Sequence, residues 1–159
     1  MYTTININEQ TTKRANLISL NNALWSLFSK IPDSVISLLA RFGIAGVFWR
    51  SGQTKVNGWE INEFTFQLFQ SEYALPLIPY QAAAYAATFA EHFFPLLLAL
   101  GLASRYAAGV LIAMTAVIQV FVYPSSWPDH AVWAISLIFI MSRGPGVFSM
   151  DHFIKKTIQ

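Results

Sequence analysis

Apolar residues dominate four long stretches of the chain, 35–55, 80–102, 106–123 and 127–142, and shorter polar breaks separate them. In each stretch charges are rare, which predicts membrane-spanning helices rather than half-buried strands. The fourth is the shortest: its sixteen positions reach about 24 Å at helical rise, less than the ~30 Å of a hydrocarbon layer, so thinning or extension must close the gap. The predicted fold class is all-α: an integral membrane four-helix bundle with an N-terminal amphipathic helix and an interfacial cap between spans 1 and 2.

The flanking pattern supplies those two additions. Residues 1–13 are polar and lack periodicity, which predicts a disordered tail. From Asn16 to Ile31 the residues Leu17, Leu20, Leu24, Leu27, Phe28 and Ile31 recur at helical spacing opposite Asn21, Asn22, Ser26 and Ser29, with Lys13, Arg14 and Lys30 alongside. Such a helix suits an anionic membrane surface, a partner protein, or packing against the rest of the chain. Between the first two spans, Trp59, Ile61, Phe64, Phe66, Leu68, Phe69 and Tyr73 alternate with Glu60, Glu63 and Glu72, an aromatic and acidic mixture that fits an interfacial or partly re-entrant cap. Pro32, Pro76, Pro79, Pro124, Pro128 and Gly144-Pro145-Gly146 mark boundaries, whereas Pro95 lies inside the second span and is expected to kink it near Glu91. The expected division is therefore 1–33 for the tail and amphipathic helix, 34–152 for the membrane domain and 153–159 for a cytoplasmic tail.

Composition reinforces this picture. Of 159 residues, 55% are hydrophobic and 11% charged, against about a quarter charged in soluble domains. The net charge of +2 is scattered over tails and segment ends, which argues against nucleic acid as a partner. The absence of cysteine excludes disulfides, thiolate-bound metals and thiol exchange by the chain itself. The first thirty residues show no apolar core with a cleavage site, so no cleaved signal peptide is expected. Lys13, Arg14, Lys30, Arg105, Arg143, Lys155 and Lys156 fall on one side of the spans and at most Lys55 on the other, which places both termini in the cytoplasm.

Charges inside a bilayer cost about 2.5–3.5 kcal/mol each on insertion scales, so Arg41, Arg50 and Glu91 need partners or a wet cavity. Arg41 and Arg50 are nine positions apart and face opposite ways at 100° per residue. Arg41 is the expected partner of Glu91 in a structural ion pair, with Arg50 reaching the outer polar layer. Gln81, Tyr85, Thr88 and His92 follow one another at steps of four, three and four and form a polar stripe bordered by Glu91. That stripe suits either interhelical hydrogen bonds or the lining of a pocket. His92 and His130 differ in expected depth by roughly 14 Å, which disfavours a shared haem, and no metal site is expected. Trp59, Tyr80, Tyr123, Trp127, Asp129, His130 and Trp133 gather at the outer end, as an aromatic belt or as walls for a flat amphiphile such as a quinone. The candidate ligand-binding residues are Glu91, His92, Thr88, Tyr85, His130 and Trp127. No phosphate loop, nucleophile elbow or hydrolase carboxylate pair is present, so no catalytic residue is assigned.

Three blocks of residues stand in order along the chain: Arg41, Gly46 and Gly52-Gln53-Thr54-Lys55; Ala90-Glu91 with Leu96-Leu97-Leu98-Ala99-Leu100-Gly101-Leu102, Arg105 and Ala107-Ala108; and Gly144-Pro145-Gly146-Val147-Phe148-Ser149-Met150-Asp151. Together they resemble the DoxX family of small four-span membrane proteins. The resemblance covers about residues 35–152. Ser51 stands where histidine is frequent, and His92-Phe93-Phe94 where small residues are usual. The resemblance implies an inner-membrane protein associated with redox systems, including quinone-linked sulfur oxidation, and an accessory role beside a soluble oxidoreductase. Quinone is then the candidate cofactor, and an oxidoreductase subunit the candidate protein partner. The alternative is a noncatalytic scaffold or membrane anchor. Transport would require a homo-oligomer, since four helices make a narrow bundle without an internal repeat.

Overall fold

The computed structural model describes residues 5–158, with side chains from residue 9. The chain divides into two compact units, Met1–Pro32 and Asp33–Gln159. In the first, helix α1 spans Ile5–Phe28. The expected disorder of residues 1–13 is therefore replaced by helix from Ile5 onward, while residues 1–4 lie outside the described residues. A Glu9–Lys13 pair at 2.8 Å, one turn apart, supports this polar stretch. Leu17, Leu20, Leu24, Leu27 and Phe28 are all exposed within this unit, as are Ile18 and Trp25.

The second unit is an all-α membrane bundle. Helices α2 (Asp33–Gln53), α4 (Tyr80–Leu100), α5 (Ser104–Val117) and α6 (Trp127–Arg143) pack in a ring: α2 lies against α4 and α6, and α5 against the same two. Each helix turns a spaced face inward, for example Ser37, Arg41, Ile44, Ala45, Phe48 and Gly52 on α2. The core consists of Ile44, Phe48, Leu98, Leu111, Leu137 and Ile140 around Ala45, Ala107 and Ala108, whose small side chains permit close helix approach. Leu39, Phe42, Phe89, Val132 and Ile135 point outward, uncovered by protein, as expected where lipid is the solvent. Among the described residues, α4 with 21 residues and the stretch Ser104–Val122 with 19 are each long and apolar enough to cross a membrane. Helix α6 has 17 residues, or about 25 Å.

Chain ends of the helices follow local chemistry. Gly101 takes φ +70° and closes α4 through its N–H to Leu97 and Leu98 carbonyls. Helix α4 continues through buried Pro95, which deprives the Glu91 carbonyl of its usual donor. Helix α5 loosens into a π-helical turn over Ile118–Val122, and a 3₁₀ turn over Pro124–Ser126 leads into α6. After α2 the chain forms a two-residue antiparallel ladder, β1 (Val56–Asn57) with β2 (Glu60–Ile61), and then α3 (Glu63–Ser71). Asn62 caps α3 by accepting from Thr65 N at 2.7 Å, and Phe69 packs on Ala83 and Ala84 of α4. The aromatic cap expected between the first two apolar stretches is thus this short helix lying against α4. Helix α7 (Met150–Ile158) extends through residues that the sequence reads as a tail.

Candidate functional site

Two polar clusters lie inside the bundle, one at each end of α2. At the end of α2 beside α3, Lys55 Nζ sits 2.7 Å from Glu91 Oε2, with 6% and 3% of the two residues exposed. Ser51, one turn before Lys55, donates to Glu91 Oε1 at 3.1 Å, and Lys55 Nζ also donates to Ser51 Oγ and the Ser51 carbonyl. Gly52 makes this approach feasible, since a Cβ there would come within 2.7 Å of His92 Cε1 and 3.1 Å of Glu91 Cβ. The loop and α3 hold Lys55 from behind: its carbonyl accepts from Asn62 N at 3.1 Å and Thr65 Oγ1 at 3.0 Å.

This arrangement corrects the expected Arg41–Glu91 pair. Helices α2 and α4 run antiparallel, so Gly52 faces Glu91 while Arg41 faces Gly101. Ten residues of α4 separate those two levels, about 15 Å at helical rise, too far for contact. Arg41 instead donates through Nη2 to the Phe148 carbonyl at 2.8 Å, in the second cluster. There Asp151 accepts from Ala103 N at 2.8 Å and Ser104 N at 3.0 Å, capping α5, while Ser37 Oγ donates to the Gly144 carbonyl at 2.6 Å. The Gly144–Asp151 segment is therefore a clamp that ties α2, α4 and α5 together.

A cavity of ≈ 440 Å³ opens between α3, α4, α5 and α6 at the Lys55 end. Its walls are mainly Ala83, Ala87, Ala90, Val110, Met114 and Val117, with Ser51, Lys55 and Glu91 set into one side. Tyr73, Tyr123, His130 and Trp133 complete it. Tyr123 donates to exposed Glu72 Oε1 at 2.5 Å and its oxygen is 2.9 Å from that of Tyr73, so the end of α3 is latched to the end of α5. Glu91 and His130 are the expected site residues that line this space.

The other four do not. The predicted stripe divides on α4: Tyr85 is exposed and meets the edge of Phe66 at 5.6 Å, and Thr88 is buried inside the bundle. His92 turns to α2, within 2.7 Å of the Thr88 carbonyl and 3.0 Å of Gln53 Nε2, with Trp49 against its ring. Positions 81, 85, 88 and 92 stay within about 60° of one another around an α-helix and share a face, but they lie at different heights along it, and α3 meets that face near Tyr85 while α2 meets it near His92. Trp127 lines a neighbouring depression with Gln119 and His130. Lys55, Ser51 and Tyr73 were not assigned to a site from the sequence, whereas Tyr123 and Trp133 belong to the aromatic group expected at the outer end. The spacing of Ser51 and Lys55, one helical turn apart beside Gly52, was the available signal.

Comparison with known proteins matches the DoxX family description to residues 36–124, more than half of the chain. The Gly144–Asp151 block that resembles the family's closing signature lies beyond the matched stretch. A protein of Haemophilus influenzae described as "Uncharacterized protein" is 28% identical over 136 residues, covering 79% of this chain and 87% of the relative. No solved structure matches.

Proposed function

We propose that this chain, which belongs to the DoxX family, acts as an accessory subunit of a membrane redox system and holds a quinone-type ligand in the cavity beside Glu91. The observation that carries this reading is the ≈ 440 Å³ space itself: mainly apolar walls, with a buried polar group of Ser51, Lys55 and Glu91 in one side. Pockets of about 300–1,000 Å³ with mostly apolar lining and a few placed polar groups are the usual form of small-molecule sites. A quinone would supply two-electron chemistry that the side chains lack. The chain's own part is to exclude water from the ring, to seat it beside the Ser51–Lys55–Glu91 group, and to close over it with the Tyr73–Tyr123–Glu72 latch.

In this reading the protein sits in the bacterial inner membrane with four spans and both termini cytoplasmic. Arg105, Arg143, Lys155 and Lys156 lie toward the α7 end of the second unit, and the acidic residues Glu60, Glu63 and Glu72 toward the α3 end, consistent with that orientation. The partner is a soluble oxidoreductase subunit. Protein purified from native membranes should retain quinone detectable by extraction and chromatography, and Glu91→Gln should lower the retained amount. Preparations free of quinone that also bind none when it is added would remove the cavity reading.

One observation favours the alternative, a noncatalytic scaffold. The Ser51–Lys55–Glu91 group is closed on itself, as a purely structural lock would be. In that case Glu91→Gln lowers the amount of assembled protein in the membrane and leaves the activity of each assembled complex unchanged.

A further inference from the structure

The hydrogen-bond inventory of the cavity distinguishes between oxidation states of its ligand. We infer that the cavity selects a ring bearing a hydroxyl group, a quinol or phenol, over the corresponding carbonyl compound, and that His130 Nε2 accepts the hydroxyl hydrogen. This rests on the cavity being a ligand site, as proposed above.

The donors in the wall are largely committed. Lys55 directs its ammonium at Glu91 Oε2, Ser51 Oγ and the Ser51 carbonyl, and the Ser51 hydroxyl goes to Glu91 Oε1. The Tyr123 hydroxyl goes to Glu72, so the 2.9 Å contact between the two tyrosines is a donation by Tyr73. A quinone carbonyl, which can only accept, finds none of these hydrogens free.

His130 offers the complementary function, and its tautomer follows from its neighbour. Gln119 Nε2 donates to the Pro124 carbonyl at 2.8 Å, a group that can only accept. The Gln119 amide is therefore oriented with Oε1 toward His130 Nδ1, at 2.6 Å. Because Oε1 is also an acceptor, the hydrogen in that contact is on Nδ1, and in neutral imidazole Nε2 is then a lone-pair acceptor. Nε2 has no partner among the described residues. His130 is 5% exposed and is the side chain common to the cavity and the adjoining depression where Gln119 lies. The π-helical turn Ile118–Val122 contains Gln119 and thus sets the tautomer. Trp133 packs on the same imidazole with ring centres 4.9 Å apart, and its indole N–H lacks an acceptor among the described residues. A hydroxyl group in the cavity can donate to the imidazole, whereas a carbonyl or ether oxygen has no hydrogen to give.

The test compares three ligands sharing one ring, a short-chain benzohydroquinone, its quinone and its dimethyl ether, titrated anaerobically by calorimetry into the full-length protein in phosphatidylcholine nanodiscs. The hydroquinone should bind about tenfold more tightly than the ether or the quinone, the factor expected for one net hydrogen bond of about 1.4 kcal/mol. His130→Phe should bring hydroquinone to within about twofold of the ether and leave the ether unchanged. Independently of any ligand, nitrogen NMR of histidine-labelled protein should show His130 with a hydrogen on Nδ1 and none on Nε2, a population that Gln119→Leu mixes with the other tautomer. Equal affinities for the three ligands, or an Nε2–H tautomer in the unmodified protein, would overturn the inference while leaving the cavity as a binding site. A preference that survives His130→Phe and disappears in Glu91→Gln would assign the acceptor to the carboxylate instead. Failure of all three ligands to bind would overturn the cavity reading beneath it.

Discussion

Lys55 and Glu91 form a buried ion pair, 2.7 Å between Nζ and Oε2, that joins the end of α2 to the middle of α4. The pair carries a consequence for stability. Removing one partner leaves a buried charge uncompensated, which typically costs about 3–5 kcal/mol, whereas removing both need cost little. Glu91→Gln and Lys55→Met should each lower the thermal midpoint in detergent markedly, and the double variant should recover most of the loss. Charge reversal of Arg41 together with Glu91 should give no recovery, because those residues lie at different levels.

Gly101 is a second point of sensitivity. Its φ of +70° disfavours any side chain, and a Cβ would collide with Arg41 Nη1 and come within 2.8 Å of Ser149 Cα. Gly101→Ala should therefore cost at least about 1–3 kcal/mol through overpacking alone. Thermal unfolding would measure it, and a midpoint equal to that of the unmodified protein would contradict the described contact.

Asp151 is expected to matter as a cap. Its carboxylate takes both backbone hydrogens at Ala103 and Ser104, where α5 begins and no other side-chain cap exists. Asp151→Ala should destabilise by about 0.5–2 kcal/mol, with Asp151→Asn intermediate. Faster amide hydrogen exchange in the first turn of α5 would locate the effect, and unchanged exchange there would refute it.

The latch between Tyr123, Tyr73 and Glu72 is expected to govern access to the cavity more than overall stability. Because Glu72 and Tyr123 are exposed and Tyr73 is half-buried, Tyr123→Phe should cost no more than about 0.5–1.5 kcal/mol. It should instead raise hydrogen exchange in α3 and speed release of any cavity ligand. Equal exchange in α3 with and without the hydroxyl would show that packing of Phe69 on Ala83 and Ala84 holds the cap by itself.

The sequence alone determined the helical class and the positions of four helices. The apolar stretches 35–55, 80–102, 106–123 and 127–142 anticipate α2, α4, the Ser104–Val122 stretch and α6 to within a few residues. That information is local: apolar runs, proline and glycine boundaries, and scarcity of charge act on each segment separately. Glu91 was also legible, because an acidic residue inside such a run is costly wherever its neighbours lie. Its partner was not. Which cation meets Glu91 depends on the antiparallel register of α2 and α4, and that register follows from Gly52 and Gly101 admitting close contacts at two levels. For the same reason the stripe of Tyr85, Thr88 and His92 was divided among different surroundings, while Tyr73 and Gln119 acquired roles that no local pattern carries. Helical periodicity specifies which residues share a face, and only packing decides what that face meets.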